Sequence, residues 1–101
     1  MTLVFGKLNQ EQGPRIFYRK GAGRRMTFND LRYIVVIAEE NSITKAADKL
    51  YMTQPALSQY LKKVEKELGV LIFERTTTGV RPTAEGVQFL AFAKNVLHQE
   101  Q

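Results

Sequence analysis

The chain has 101 residues, which is room for one domain with a single core. It contains no cysteine and a single histidine, His98, which excludes disulfides, thiolate metal sites, thiol chemistry and any histidine pair. No nucleophile-and-base arrangement, glycine-rich phosphate loop or paired-carboxylate pattern occurs, and no apolar run approaches the roughly 18 residues of a membrane span. We therefore expect a cytoplasmic protein that is not an enzyme and uses no cofactor or metal.

The net charge of +5 comes entirely from the first quarter of the chain. Residues 1–25 hold six Lys or Arg and one Glu, whereas residues 26–101 hold nine basic and nine acidic residues. This leader has no sustained helical or strand periodicity and ends in a Gly/Arg-rich stretch, so we expect it to be flexible. A basic arm that strengthens nucleic-acid binding nonspecifically is the less favoured interpretation.

The first predicted helix runs from Thr27 to Glu40. Thr27 and Asp30 stand in the S/T-x-x-D/E relation that satisfies N–H groups of a first turn. Apolar residues then recur at helical spacing and predict an inward stripe of Leu31, Ile34, Val35 and Ala38.

A second, shorter helix follows Ser42, its candidate N-cap. Its apolar residues show the i, i+3, i+4, i+7 spacing, at Ile43, Ala46, Ala47 and Leu50. Only residues 51–53 separate it from the next helix, so the two helices must cross steeply, and the small alanines allow a close approach. This arrangement is typical of a helix-turn-helix.

The third helix has clear start and stop signals. Thr53 can cap it, Pro55 stands in its first turn, and Gly69 can adopt the left-handed conformation that ends it. One face is apolar and is expected to point inward, with Leu57, Tyr60, Leu61, Val64 and Leu68.

The opposite face of the third helix changes from uncharged polar groups to ammonium groups along its length. Its residues are Gln54, Ser58, Gln59, Lys62, Lys63 and Lys66. An α-helix fits the major groove of B-DNA, where a glutamine paired with an adenine edge discriminates by roughly 1–3 kcal/mol and lysines meet phosphates. The alternative is an ordinary solvated surface helix, and this helix alone does not decide between the two.

A basic hairpin is predicted after the third helix. Residues 70–75 have the β-branched and aromatic content of a strand, residues 80–82 can return antiparallel to it, and residues 76–79 would form the tip. Such a wing could place Arg75, Arg81 and threonine hydroxyls against phosphates or in the minor groove. For Arg81 alone, an unremarkable surface role is the preferred interpretation.

A final helix starts at a threonine cap, Thr83, and is apolar nearly all round. A domain this small is not expected to cover both sides of such a helix, so we predict that a second subunit covers it. The residues expected at this dimer contact are Val87, Phe89, Leu90, Phe92, Ala93, Val96 and Leu97. Contact with a downstream domain is the alternative, and both contacts can hold at once.

Residues 26–98 resemble the DNA-binding domain of LysR-type transcriptional regulators, which are bacterial proteins with an N-terminal winged helix-turn-helix and a C-terminal sensing domain. The resemblance lies in many residues in the right order and spacing. They are Leu31, Tyr33 and Ile34, the Ala46-Ala47 pair with Leu50, the strings Thr53-Gln54-Pro55-Ala56-Leu57-Ser58, Glu67-Leu68-Gly69-Val70, Phe73-Glu74-Arg75 and Gly79-Val80-Arg81, then Thr83 and Gly86.

The resemblance implies specific DNA contacts. Bases would be read through Gln54, Pro55, Ser58 and Gln59, with phosphate contacts near Thr44, Thr53 and Lys62 and wing contacts from around Arg75 to Thr78. Many relatives carry arginine where this chain has Gln59, so a contact to guanine would be replaced by one to adenine or would be absent. Relatives often carry leucine where Pro82 stands, and we expect this proline to shorten the return strand of the wing.

The fold class expected is mainly α, a winged helix-turn-helix with a three-helix core and a two-stranded wing, followed by a long linker helix. Residues 26–82 would form the DNA-binding domain and residues 83–101 the linker helix, which pairs with its two-fold mate in the family. In the family the domain begins near Met26, so residues 1–25 are expected to be a non-native extension or the product of an upstream start. The effector-binding domain, with its small-molecule effector, is expected to be absent.

The function expected is sequence-specific binding of operator or promoter double-stranded DNA by a homodimer, with helix 54–68 in the major groove and the wing 70–82 on the flanking backbone and minor groove. The main alternative is a winged-helix module whose polar helix face docks a protein. A small structural or assembly domain is the third possibility, and it would dimerise without binding nucleic acid.

Overall fold

The computed structural model describes residues 3–5, 17–19 and 27–99. Residues 27–99 form four helices and a two-stranded hairpin, which confirms the predicted mainly helical winged helix-turn-helix. The elements are α1 (Phe28–Glu40), α2 (Ile43–Lys49), α3 (Gln54–Leu68), β3 (Phe73–Arg75), β4 (Val80–Pro82) and α4 (Ala84–Gln99).

Two short strands lie in the leader, β1 (Leu3–Phe5) and β2 (Phe17–Arg19), and they pair antiparallel. No signal in the sequence predicts these strands, because runs of three apolar or aromatic residues are too short to show a period. The backbone of β2 lies beside α3. The flexibility predicted for the rest of residues 1–25 lies outside the described residues.

The helix starts follow the capping residues predicted from the sequence. Thr27 and Asp30 form a reciprocal capping box, in which the Asp30 N–H donates to Thr27 Oγ1 at 3.2 Å and the Thr27 N–H donates to Asp30 Oδ2 at 3.0 Å. Ser42 Oγ accepts from the Lys45 N–H at 3.1 Å and starts α2. These bonds satisfy backbone donors that have no intrahelical partner, and they fix where each helix begins.

A single core joins α1, α3 and α4. It is apolar and contains the stripes predicted for the first three helices, except that Ala38, Leu50 and Tyr60 are only partly buried at its edge. Its largest fully buried side chains are Phe89, Leu31, Ile34, Ile37, Leu57, Ile72 and Val64.

One side of α4 belongs to this core, because α4 packs along α1. Four residues predicted to face a second subunit are buried within the chain itself, namely Phe89, Leu90, Ala93 and Val96. The prediction is wrong for these four, because the periodicity of a helix shows that a residue is buried but not which element covers it. Val87 is 59% exposed, and Phe92 and Leu97 are half-buried, so these three remain accessible to a partner.

The first wing strand begins at Phe73 rather than at Val70. The chain that follows Gly69 first passes the carboxylate of Glu65, which accepts from the N–H groups of Ile72 and Phe73. The pairing of the first wing strand, β3, with β4 therefore starts three residues later than predicted.

Pro82 lies inside β4, opposite Phe73. The next pair is joined by a backbone bond, from the Thr83 N–H to the Ile72 carbonyl at 2.9 Å. Hydrogen-bonded and non-hydrogen-bonded pairs alternate along an antiparallel ladder, so Phe73 and Pro82 form a non-hydrogen-bonded pair. An N–H at position 82 would point away from β3, so this proline, the last residue of β4, removes no bond of the ladder.

Candidate nucleic-acid interface

The boundaries of α3 are those that its sequence predicts. Thr53 Oγ1 accepts from the Ala56 N–H at 3.2 Å, Pro55 stands in the first turn, and Gly69 ends the helix in a left-handed conformation with φ of 80°. The inward face is buried at Leu57, Leu61, Val64 and Leu68. The N-terminus of α3 is thereby held on the core with its polar face turned outward.

The polar face of α3 is accessible. Gln59, Lys62 and Lys63 are exposed, as is Pro55, while Gln54 and Ser58 are half-buried. Within residues 27–99 the side chains of Gln54, Ser58, Gln59, Lys62 and Lys63 make no hydrogen bond or ion pair. Uncharged groups near the start of the helix and ammonium groups beyond them are both available to an external ligand.

Close packing of α2 sets the angle of α3. Ala46 is 0% exposed and Ala47 is 1% exposed where the two helices cross. The connection is tight, since the Met52 N–H donates to the Ala47 carbonyl at 2.8 Å. α2 ends at Lys49, with Leu50 as its C-cap. Thr44, a predicted phosphate contact, is exposed on α2.

Tyr51, in the turn between α2 and α3, has features that the sequence analysis did not identify. Its side chain is 97% exposed, and its backbone is left-handed with φ of 58°. A tyrosine in a tight turn gives no sequence signal for this conformation, which favours Gly, Asn and Asp.

The wing is anchored to the junction between α1 and α2. The Val80 N–H donates to the Asn41 carbonyl at 3.1 Å, and a Cβ at Gly79 would lie 2.1 Å from that same oxygen. Only a glycine therefore allows this approach. The Thr76 N–H closes the tip by donating to the Gly79 carbonyl at 2.9 Å, and this places Thr78 in an exposed turn.

The two arginines of the wing differ. Arg81 pairs with Glu74 across the strands, with Nε 2.7 Å from Oε2, which agrees with the surface role preferred for it. Arg75 is exposed and has no ion pair within residues 27–99. Arg75 is therefore the wing arginine free to meet a phosphate.

Glu65 is a second feature that the sequence analysis missed. It lies on α3 among lysines, where the sequence suggests a solvated charge, but it is only 9% exposed. Its Oε2 accepts from the Ile72 N–H at 2.7 Å and from the Phe73 N–H at 3.1 Å. One carboxylate therefore ties the third helix to the first strand of the wing.

A polar groove lies between α2 and the wing. It is lined by side chains and backbone of Glu40, Asn41, Ser42, Lys45, Thr76, Thr78, Val80 and Arg81. Lys45 is exposed and makes no ion pair within residues 27–99, whereas Lys49 pairs with Glu40 at 3.2 Å. The free cations Lys45, Lys62, Lys63 and Arg75 thus belong to the helix-turn-helix and the wing.

The described residues contain no group of three or more His, Cys, Asp or Glu side chains that could hold a metal ion. Among these same residues, no helix is both long enough and apolar enough to cross a membrane.

Comparison with known proteins gives consistent matches. The sequence model of a protein family, described as the bacterial regulatory helix-turn-helix protein, lysR family, matches residues 28–87. The HTH-type transcriptional regulator ClcR of Pseudomonas putida is 44% identical over 73 residues, which are 72% of this chain and 25% of ClcR. BsdA of Bacillus subtilis (strain 168), also named an HTH-type transcriptional regulator, is 48% identical over 75 residues, or 73% of this chain and 26% of BsdA. The chain thus spans about a quarter of the length of these relatives.

Solved structures match over the same part of the chain. The crystal structure of the BenM DNA-binding domain with catB site 1 DNA has a TM-score of 0.69 and 43% sequence identity, covering 73% of this chain and 83% of that one. Full-length CbnR complexed with its target DNA has a TM-score of 0.68 and 33% identity, covering 74% of this chain and 26% of CbnR. Both proteins were solved with DNA.

Proposed function

Because the chain belongs to the lysR family of bacterial regulatory helix-turn-helix proteins, we propose that it binds double-stranded DNA sequence-specifically, as the DNA-binding domain of a transcriptional regulator. The observation that carries the proposal is the outward face of α3, whose polar side chains near the N-terminus have no partner within residues 27–99. An α-helix presented in this way fits the major groove. The role is one of binding, with no catalytic step.

Base reading is assigned to the start of α3. Gln54 and Gln59 can pair with adenine edges, Ser58 can donate or accept, and the exposed ring of Pro55 can contact a thymine methyl group. Phosphate contacts are assigned to hydroxyl and cationic groups around this region. They are Thr44, Thr53, Lys62 and Lys63 on the helix-turn-helix, and Arg75 and Thr78 on the wing, which lies on the flanking backbone and minor groove.

The proposed working unit is a homodimer in the cytoplasm, paired through α4. The burial of one side of α4 by α1 limits the contact to the outward residues, with Val87 at its centre and Phe92 and Leu97 beside the core. A two-fold dimer would present two α3 helices to successive major grooves, about 34–36 Å apart in helix-turn-helix proteins generally. The expected operator is therefore an imperfect palindrome.

The test is selection of duplexes from a random pool with the full chain, followed by titration of the selected duplex and an unrelated one. Gln54→Ala and Ser58→Ala should relax the preference at single base positions, with a loss of about 1–3 kcal/mol for a good bidentate contact. Lys62→Ala should lower the affinity for all duplexes by a similar factor and reduce the slope of log affinity against log salt concentration by about 1.

Arg32→Ala is the control, because Arg32 is an exposed cation on α1, outside α2, α3, the wing and the proposed dimer helix, and its side chain donates to the exposed Asn29 Oδ1 at 3.2 Å. It removes the same charge and should leave duplex binding unchanged. If the pool shows no enrichment, or if the α3 variants bind like the control, the polar face docks a protein and the proposal fails.

A further inference from the structure

Tyr51 is the most exposed of the large apolar side chains in the described part of the chain. It is 97% exposed, compared with 61% for Leu71 and 59% for Val87. A ring this exposed makes almost no contact with its own domain. The fold therefore gains nearly nothing from burying it.

The backbone of Tyr51 is also unfavourable for its residue type. The chain has two non-glycine residues with positive φ in its described part, Asn41 at 55° and Tyr51 at 58°. Asparagine is among the residues that tolerate this conformation best, whereas a bulky side chain there is uncommon. The neighbouring bonds hold the turn in place, with the Tyr51 N–H donating to Asp48 and the Met52 N–H to Ala47. Local strain of this kind concentrates at functional sites.

The position of Tyr51 indicates what it contacts. It lies two residues before Thr53, the N-cap of α3, and so within about 7 Å of the end that is proposed to enter the major groove. A turn directly before such a helix lies at the wall of the groove, where the phosphates run. Tyrosine hydroxyl groups are established donors to phosphate oxygens.

We propose that Tyr51 contacts the sugar–phosphate backbone of the bound duplex, with its ring against a deoxyribose and its O–H donating to a phosphate oxygen. This inference rests on the proposed DNA-binding function. Tyr51 is neutral and touches no base edge, so its contribution is independent of DNA sequence and releases no counterion. The left-handed backbone holds the ring outward, toward the groove wall.

The experiment compares Tyr51→Asn and Tyr51→Phe with the native full chain, on the selected duplex and on an unrelated duplex, at several salt concentrations. Tyr51→Asn should lower the affinity for both duplexes about three- to tenfold and leave the salt dependence of the affinity unchanged. Tyr51→Phe should lower both affinities by a smaller factor. At the same time Tyr51→Asn should raise the thermal midpoint by about 4 °C, because asparagine tolerates the left-handed backbone better. A more stable protein that binds less tightly supports the inference.

Leu71→Asn is the control, because it removes another exposed apolar side chain, which precedes β3, has no proposed DNA contact and lies just beyond the far end of α3, about 22 Å from the start of the helix. It should bind both duplexes like the native chain. Unchanged affinity of Tyr51→Asn would overturn the inference, as would a loss confined to the selected duplex, which would indicate base reading. Weaker self-association with unchanged duplex affinity would place Tyr51 in a protein contact and also overturn it. If the native chain binds no duplex, the proposed function itself fails together with the inference.

Discussion

Glu65 shows how one buried side chain ties α3 to the wing, the two elements that we propose to contact DNA. Its carboxylate accepts both the Ile72 and the Phe73 N–H, and neither of these donors is exposed to solvent. A buried donor left without an acceptor costs about 1–3 kcal/mol. The position of the wing beside α3 therefore depends on a buried acid whose two hydrogen bonds lie within the domain.

We predict that Glu65→Ala lowers the free energy of unfolding by about 2–4 kcal/mol, since two buried N–H groups lose their acceptor. Glu65→Gln keeps an acceptor oxygen and should cost less, about 1 kcal/mol. Urea unfolding followed by circular dichroism measures both values.

Glu39→Ala is the control for this prediction, because Glu39 is exposed on α1 and its loss should change stability by less than about 0.5 kcal/mol. Equal stability of the Glu65 and Glu39 variants would show that the two bonds to the wing do not contribute to the fold.

Residues whose role is local could be predicted from the sequence, and residues whose role depends on distant chain could not. The caps at Thr27, Ser42 and Thr53 act within three residues, so a short pattern identifies them. The hydrogen-bond donors to Glu65, the N–H groups of Ile72 and Phe73, follow the turn at Gly69. The helical pattern of the sequence does not indicate the direction in which the chain turns there. Tyr51 was missed for a different reason, because its turn is held by local bonds but a tyrosine gives no signal for a left-handed backbone.

At the scale of elements, α4 shows what apolar periodicity can and cannot establish. The sequence predicted correctly that the helix has to be covered on an apolar side, but α1 rather than a second subunit packs along the side that carries Phe89, Leu90, Ala93 and Val96. The outward side keeps Val87 accessible. Two substitutions on one helix therefore separate folding from dimerisation.

We predict that Phe89→Ala lowers the free energy of unfolding by about 3–5 kcal/mol, because Phe89 is 2% exposed in the core. Val87→Asp should leave the fold intact, because Val87 is 59% exposed, and should raise the dimer dissociation constant at least about tenfold by placing a charge in the contact. Urea unfolding and sedimentation velocity measure the two effects. Unchanged self-association of Val87→Asp would place the dimer contact elsewhere.

At the scale of the whole molecule, the distribution of charge matters more than its total. Residues 26–101 are neutral in sum, so we attribute the proposed DNA affinity of this part to individual cations at the helix-turn-helix and the wing, including Lys62, Lys63 and Arg75. The excess of +5 lies in residues 1–25. This division of charge was readable from the sequence, whereas the position of β2 beside α3 was not, because it brings together distant parts of the chain.

The basic leader places β2 beside α3, the helix that we propose to bind DNA, and this position favours the interpretation as a nonspecific basic arm. The six Lys and Arg residues of the leader can be replaced by glutamine at constant chain length. This change should lower the affinity for an unrelated duplex by a larger factor than the affinity for the selected duplex, because the positive charge attracts every DNA sequence equally. The slope of log affinity against log salt should flatten by about 0.9 for each phosphate that the leader no longer neutralises. Stability of residues 27–99 should not change, and urea unfolding checks this. If the salt slope stays that of the native chain, the leader takes no part in binding and the electrostatic attraction comes from the folded domain alone.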